Sequence, residues 1–596
     1  MPAKDKSKLT HVYSKMQRLE ITFSQLEMEW STHRAYWRDL LDYTQPWRGR
    51  FTTTESGKGT RKLQKILNSR ATEDLNILKA GMMASVTNPS INWIRLTLED
   101  KDLAEEGPIK EWLGDVTKII NDIILKSNFY KTAPTIYGDM ACIGTAALLV
   151  EEDFDTVVRF YAIPIGSYMI AVDNKGRVNQ YAREFRYSVR QLIEKFSFEE
   201  GEPLIEANIN WDLFSEKVKQ FWETGLHNQW VDVCHMIVPN EEYDPSRLEA
   251  KYKKYASVYF EKGSTGNSSA RNQRHNPSSK ADKFLQESGL DLFNVLVPRW
   301  EVVGEDAYGT NCPAMMAHGP NRALQTMERR KAQAVEHKVN PALAVPASLK
   351  KRKNSTLPGD RVYMGSEDIR AGGIKPIYEV NFDTRELRED IQNNEFMVDA
   401  AFYRDAFAPI SADPVQGTPP SAAEINQRVS ESRLKLGGTT QNVNDDLLEP
   451  MVDIIFHYGE MQGRFPEAPP AIEGAELRVE FIGVLAQAQK TVALGGLREI
   501  TDFAMNIAAQ TQDPTLLDKL RMDQLIDEYA EGTGVTPDVI VPDDEVEMIR
   551  AERAQQQQAQ QAQEAMASMA GTAKDLSQAD IGGQNALTKL MEEGAV

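Results

Sequence analysis

Residues 383–407 read DTRELREDIQNNEFMVDAAFYRDAF and run directly into APISADPVQGT at 408–418. Asp383 is placed to cap a helix, with Glu386 three residues on as the reciprocal partner. The pattern carries that helix to Phe407, about 36 Å at 1.5 Å per residue. At 100° per residue, Leu387, Ile391, Val398, Ala401 and Phe402 share one face, while Phe396, Tyr403 and Phe407 gather on the opposite one. A helix apolar on both sides must be covered on both sides. Burial inside one large core does this, and so does a position wedged between neighbours in a ring. In the second case Phe396, Tyr403 and Phe407 are the subunit-interface candidates. The segment that follows holds two prolines and one glycine, which deny it regular hydrogen bonding, and Asp413 is its only charge.

Upstream, Gly319-Pro320 is expected to open a helix that runs to about Lys338, where Asn340-Pro341 stops it. Between Asn321 and Lys353, nine Arg and Lys residues stand against Glu328 and Glu336, a local excess of +7 in a chain of net charge −20. Arg322 and Arg329 are seven apart and share a face, with Arg330 beside them. This is either a solvated basic surface or a contact for a polyanion or an acidic partner. The stretch from Pro341 to Phe382 is punctuated by Pro and Gly, with strand-like pieces at Leu343 to Val345 and Arg361 to Met364. Downstream, Ser421 and Glu424 form a capping box for a third helix, which Gly437-Gly438 interrupts. Helical pattern resumes from about Val443, with a kink expected at Pro450. Asp543-Asp544-Glu545 can start a last helix, in which Gln555 to Gln563 is nearly all Gln and Ala. With almost no apolar face it reads as a frayed tail or as a bundle with copies of itself.

The first half changes period. Val12, Met16, Leu19, Phe23, Leu26, Trp30, Trp37 and Leu41 recur at three- and four-residue steps, interrupted by His33, and mark one helix stripe of about 45 Å. The Gln45-Pro46-Trp47-Arg48-Gly49 turn ends it. Ala147 to Val150, Val157 to Ile163, Tyr168 to Val172, Val178 to Tyr187, Gln229 to Val238 and Ser257 to Phe260 read as strands, with Asp173-Asn174-Lys175-Gly176 a hairpin turn. Gly263 to Lys280 reads as an exposed loop. The fold class is α+β.

At 596 residues the chain is too long for one core. Its longest nearly apolar run, Met140 to Val150, falls short of the ~20 residues a membrane span requires. The polar start MPAKDKSK is not a secretory signal. Three cysteines, Cys142, Cys234 and Cys312, without CxxC spacing, fit a reducing compartment rather than a disulfide framework or a zinc site. The negative overall charge opposes general DNA binding, which needs basic surface for counterion release. It is compatible with a protein that DNA slides past, but taken alone it is better read as an acidity that serves solubility. Enzyme motifs fail: around Ser56-Gly57-Lys58-Gly59-Thr60, a phosphate loop would need Ser or Thr at Gly59 and Gly at Thr52. Adjacent Cys234 and His235 in a strand face opposite sides and read as packing. No catalytic residue, metal site or cofactor is assigned.

The order of these parts resembles the head-to-tail connecting (portal) proteins of short-tailed, podovirus-type bacteriophages over nearly the whole chain. The resemblance is carried by Tyr308-Gly309-Thr310 with Gly319-Pro320-Asn321-Arg322-Ala323-Leu324, and by Val339-Asn340-Pro341-Ala342-Leu343-Ala344-Val345-Pro346. It continues in Phe407-Ala408-Pro409, in Ser421-Ala422-Ala423-Glu424-Ile425 through Glu431, and in Leu447-Leu448-Glu449-Pro450. It implies a ring-forming portal fold: a wing over 1–307 (N-terminal helix plus β-rich part), a first stem helix over 308–338, a small α/β clip over 339–382 and a second stem helix over 383–407. A tunnel loop at 408–418 then leads to an inner helix and wing return at 419–495, a mainly helical crown at 496–553 and a Gln/Ala-rich tail at 554–596. The loop residues carried over are Pro409, Ile410, Ser411, Ala412, Asp413, Pro414, Val415, Gln416, Gly417 and Thr418. Arg322, Arg329 and Arg330 are the stem residues that would face DNA. The resemblance further implies a dodecamer with double-stranded DNA in its channel, no enzyme activity, and no membrane partner. Capsid and scaffolding proteins, the terminase motor and tail adaptors are the implied partners. The implied location is the capsid portal vertex of the virion, reached by assembly in the host cytoplasm.

Overall fold

The computed structural model describes residues 14–55, 64–104, 106–198, 205–262, 284–347, 350, 363–370, 372–377, 384–407, 436–472, 477–482, 500–507, 520–521, 523–526, 529, 541, 543–578, 580–581 and 584–585. The chain divides into a larger unit (Met1–Trp93, Ile120–Arg464, Gly483–Gln489) and a smaller one (Ile94–Ile119, Phe465–Ile482, Lys490–Val596).

The larger unit begins with α1 (Lys15–Thr44), capped reciprocally: Ser14 Oγ accepts the Gln17 N–H at 3.3 Å and Gln17 Oε1 accepts the Ser14 N–H at 3.2 Å. Met16, Leu19, Phe23, Leu26, Trp30, Trp37 and Leu41 of the expected stripe are all buried within the protomer; Val12 lies outside the described residues. His33, the polar interruption, stacks on Trp37 and meets Tyr308, with ring centroids 5.2 and 5.0 Å away. The helices α2 (Arg70–Ser85) and α3 (Phe129–Ile143) add to the expected elements, and neither has a side-chain hydrogen bond at its N-cap. The apolar run Met140 to Val150 is the end of α3, its left-handed cap Gly144 (φ 78°), and the start of strand β1 (Leu148–Asp153). It is nearly all apolar because every residue from Met140 to Val150 is buried.

The strands follow as β2 (Val157–Ala162), β3 (Tyr168–Val172) and β4 (Val178–Ser188); α4 (Val189–Ser197) and α5 (Glu216–Glu223); then β5 (Trp230–Pro239), β6 (Tyr255–Glu261), β7 (Gln286–Leu290) and β8 (Val295–Leu296). β3 to β7 form a five-stranded antiparallel sheet in chain order, and β2-β1-β8 form a second, three-stranded one. The 173–176 turn closes as expected: the Asp173 N–H donates to Arg177 O at 2.8 Å, and Gly176 supplies the positive φ of 75°. α4 and α5 cover one face of the large sheet, burying Leu192, Ile193, Phe214 and Val218 against Val231 and Val233. Each such side chain contributes about 1.5–3 kcal/mol relative to exposure.

The helical second half departs from the sequence reading in four places. α6 (Pro313–Val339) starts at Pro313, not at Gly319-Pro320. Pro313 fits the first turn, where its missing N–H is not needed, while Pro320 sits inside the helix and removes only the partner of the Met316 carbonyl. α7 (Thr384–Ala401) ends six residues early, with Tyr403 at φ 54°, before the short α8 (Arg404–Phe407). The contacts that turn the chain there are given below. Helix α9 (Gly437–Val443) begins at the paired glycines, a π turn occupies Asn444–Leu448, and α10 (Glu449–Met461) follows. The signal at Pro450 is thus met by a π turn just before it, which absorbs the missing donor. Leu343–Ala344 pairs antiparallel with Lys375–Pro376, whereas Tyr363 and Met364 are not strand; Arg361 and Val362 lie outside the described residues, as do Asp383, the 408–418 segment and the Ser421–Glu424 box.

In the smaller unit, strand Ile94–Leu98 pairs antiparallel with Leu477–Phe481, nearly four hundred residues away. Trp112 Nε1 donates to Pro466 O at 3.2 Å beside it. Helix Asp543–Gln578 begins at the expected acidic signal, and Arg550 pairs with Asp523 at 2.7 and 2.8 Å.

Two buried polar groups in the larger unit make testable demands. Arg48, presented by the 45–49 turn, grips fully buried Asp139 with Nε and Nη2 at 2.7–2.9 Å and donates to Ile163 O at 2.9 Å. Burial pushes the Asp139 carboxyl up and Arg48 pulls it back down. Arg48→Ala strands a buried carboxylate and should cost about 3–5 kcal/mol, read as a lower unfolding midpoint. An unchanged midpoint would show that Asp139 finds another partner. His235 stacks on Tyr259 at 3.9 Å, its Nε2 lies 3.0 Å from Ser257 Oγ, and burial holds its pKa down to about 3. The unfolded chain therefore takes up a proton below pH ~6.5 that the folded one refuses. Stability contributed above pH ~6.5 should be lost as pH falls towards 3, and His235→Gln should flatten that acid limb in denaturant titrations. Parallel limbs for variant and wild type would contradict it.

Candidate functional site

The candidate site is the pair α6 and α7 with the helix that receives them, α2. Asn321 and Gln325, four apart, are buried with Leu324 on the face of α6 that meets the body. Gln325 Oε1 accepts the N–H groups of Leu67 and Asn68 at 2.7 and 2.8 Å, and its Nε2 donates to Asn68 O at 3.0 Å and to Asn321 Oδ1 at 2.9 Å. Asn321 in turn donates to Tyr43 O at 3.0 Å. Four otherwise unpaired backbone groups are satisfied this way, so α6 is pinned in register to the chain entering α2. These two amides are missed by sequence reasoning; the available signal was a polar pair at i, i+4 flanking a buried leucine. Tyr308-Gly309-Thr310 has a similar basis: the Gly309 N–H donates to Thr145 Oγ1 at 2.7 Å, and a Cβ at Gly309 would stand 2.1 Å from the Gly144 carbonyl oxygen. Only glycine permits that approach.

α7 is fastened from α2. Arg70 forks onto Asp399, Nε to Oδ1 at 2.6 Å, and Asn68 Nδ2 donates to Glu395 Oε1 at 3.0 Å. Arg404, on α8, donates to Asp74 Oδ1. Asp74 is fully buried, its Oδ2 has no hydrogen-bond partner, and burial raises its pKa to about 7 against the pull of Arg404.

The structure separates the expected interface trio. Ile391, Val398 and Phe402 are buried, as one face of the pattern requires. Phe396 is 72% exposed beside Met397, whereas Tyr403 and Phe407, placed on the same face by an unbroken helix, are turned by the break onto their own chain. Tyr403 lies 6.2 Å from Trp300, and Phe407 covers Gly81. The basic residues also divide. Arg322 belongs to a local charge cluster, 3.6 Å from Asp39 and over the Tyr43 ring, shared with His318 and Lys65. Arg329 and Arg330 are exposed on α6. Farther along, Glu328, Lys331, Ala332, Val335, Glu336 and Val339 line a shallow groove on the same helix.

Burial pushes the thiols of Cys142, Cys234 and Cys312 up, away from the reactive thiolate. Among the described residues no group of three or more His, Cys, Asp or Glu could hold a metal ion, and no helix is long and apolar enough to cross a membrane.

The chain is 37% identical over 576 residues to a portal protein of Salmonella phage epsilon15, covering 96% of this chain and 97% of that one. It is 36% identical over 569 residues to a probable portal protein of Bordetella phage BPP-1, covering 95% and 96%. A solved virion of a native gene transfer agent particle aligns over 75% of this chain and 93% of its own at 10% identity, with a TM-score of 0.34, too low to bear on the fold. The sequence model of bacteriophage head to tail connecting proteins matches residues 16–541, and the chain belongs to that family.

Proposed function

We propose that this chain is the portal subunit of a short-tailed bacteriophage, assembled as a closed ring at one capsid vertex through which the genome is packaged, retained and ejected. The observation that carries this reading is the family match across residues 16–541, with two portal relatives alike over nearly their whole length. In this reading the ring has twelve copies. Its wing (1–307) meets capsid and scaffolding proteins, its clip (339–382) meets the terminase motor and then the tail adaptors, and helices 308–338 and 383–407 form its stem. The helix and wing return at 419–495 and the crown at 496–553 complete each subunit. The motor supplies the ATP hydrolysis, so this chain acts as a structural channel and not as an enzyme.

Charge supports a channel role. Duplex DNA carries about one negative charge per 1.7 Å, and a uniformly basic wall would hold it by counterion release. A chain of net charge −20 avoids that, and Arg329 and Arg330 would form a narrow basic band. The 408–418 segment can reach at most about 36–40 Å when extended, enough to project from a ring wall and return. It would meet DNA by shape and repulsion.

Two experiments test this. Phe396 is the member of the apolar trio left exposed by its own protomer, so a neighbouring subunit is the cover this reading gives it. Phe396→Asp buries a charge at that contact and should yield folded monomers or open arcs in light scattering, with the protomer's melting point little changed. Intact closed rings would remove Phe396 from the interface. Deleting Ser411 to Gln416 should leave rings closed but lower the genome content per filled head. Equal DNA retention with a normal ring would make the segment a connector only.

A further inference from the structure

Residues 400–407 contain no local instruction to stop a helix. Ala400, Ala401, Arg404 and Ala406 are strong helix formers, and neither Gly nor Pro occurs between Thr384 and Phe407. The helix stops at Ala401 all the same, and an aromatic residue, Tyr403, takes the left-handed conformation at φ 54°. A left-handed backbone is unfavourable for a residue with a Cβ, and no Gly or Asn is there to relieve it. The turn has to be held from outside.

Two contacts to α2 hold it. Arg404 donates to the buried Asp74 carboxylate, which already sits beside Arg70 and Asp399. The Phe407 ring lies on Gly81, where even a methyl group would be 2.2 Å from the ring. Phe402 is fully buried at the corner. The second oxygen of Asp74 has no hydrogen bond and only the Arg70 guanidinium 3.9 Å away, so Arg404 is hydrogen-bonded through one carboxylate atom. A local sequence that favours one state and a set of tertiary contacts that enforce another are the ingredients of a two-position element.

We propose that the α7–α8 junction is a latch: Arg404 on Asp74 and Phe407 on Gly81 keep the chain bent at Tyr403, and on their release residues 384–407 straighten into one continuous helix. The bent form exchanges helical hydrogen bonds at the corner for the ion pair and the ring seat. Phe402 donates to Val398 O at 3.1 Å, but Tyr403 reaches only Ala400 O, at 3.3 Å, in a tighter turn. The straight form restores the helical pattern and removes the left-handed residue. Gly81 lies in the interior of α2, where alanine would suit the helix better; the seat for Phe407 explains why no side chain stands there.

Thiol accessibility tests this in the full chain, because native Cys142, Cys234 and Cys312 are buried. Ala406 is 3% and Val398 0% exposed. A cysteine introduced as Ala406→Cys reports the latch, and one introduced as Val398→Cys reports the body of α7. Arg404→Ala, or Gly81→Ala, should speed labelling at 406 by about tenfold or more while labelling at 398 stays slow. Position 403 then distinguishes straightening from unravelling. Glycine relieves the bend and disfavours helix; alanine retains the left-handed penalty and favours helix, and both lose the contact with Trp300. Labelling at 406 should therefore be about tenfold slower with Tyr403→Gly than with Tyr403→Ala. Equal rates for these two variants would overturn the straight form. Labelling at 398 that rises together with 406 would show general loosening and no latch.

Discussion

Helix Arg70–Ser85 bears the constraint on which the paired helices α6 and α7 depend: it and the residues leading into it must satisfy partners from three other segments at once. Gln325 of α6 caps the chain just before it, Arg70 forks onto Asp399 of α7, Asp74 receives Arg404 of α8, and Gly81 leaves room for the Phe407 ring. Asp74 is the costly member. A carboxylate taken out of water costs several kcal/mol unless cations stay beside it, and Arg404 and Arg70 are the two beside Asp74, with Arg404 the one that hydrogen-bonds it. The same logic governs Arg48 and Asp139 at the base of α1 and α3. Buried ion pairs of this kind add little net stability, and removing one partner is what makes them costly.

Much of the larger unit is legible in the sequence because its signals are local. The α1 stripe, the ladder from Val157 to Phe260 and the Asp173–Gly176 turn need only periodicity and turn chemistry. Misreadings arise where a residue's meaning is set from far away. Pro320 looks like a helix start, but the helix is long enough and buried enough to carry it. Nothing near Phe402 predicts a break, since the break is made by Asp74 and Gly81, more than three hundred residues upstream. The pairing of Ile94–Leu98 with Leu477–Phe481 is equally invisible to a local reading. Asn321 and Gln325 look like surface residues until their partners at 43, 67 and 68 are in place.

For the function, the family resemblance rests on short stretches that turn out to have physical work. Tyr308-Gly309-Thr310 passes its backbone against Gly144, and Asn321 and Leu324 of the next stretch sit on the buried face of α6. These are demands of packing and register, which suits a member of a family of head to tail connecting proteins. The exposed residues tell a different part of the account. Phe396, Met397, Val335 and Val339 are apolar and exposed on the paired helices, and an isolated protomer has no use for such a surface.

The most direct measurement of the central claim is imaging of the purified, assembled protein by electron microscopy. The account predicts closed rings with an open central channel wide enough for duplex DNA, with helices 313–339 and 384–401 at the channel and Phe396 facing a neighbouring subunit. Particles that stay monomeric at every concentration, or rings whose centre is filled, would contradict it.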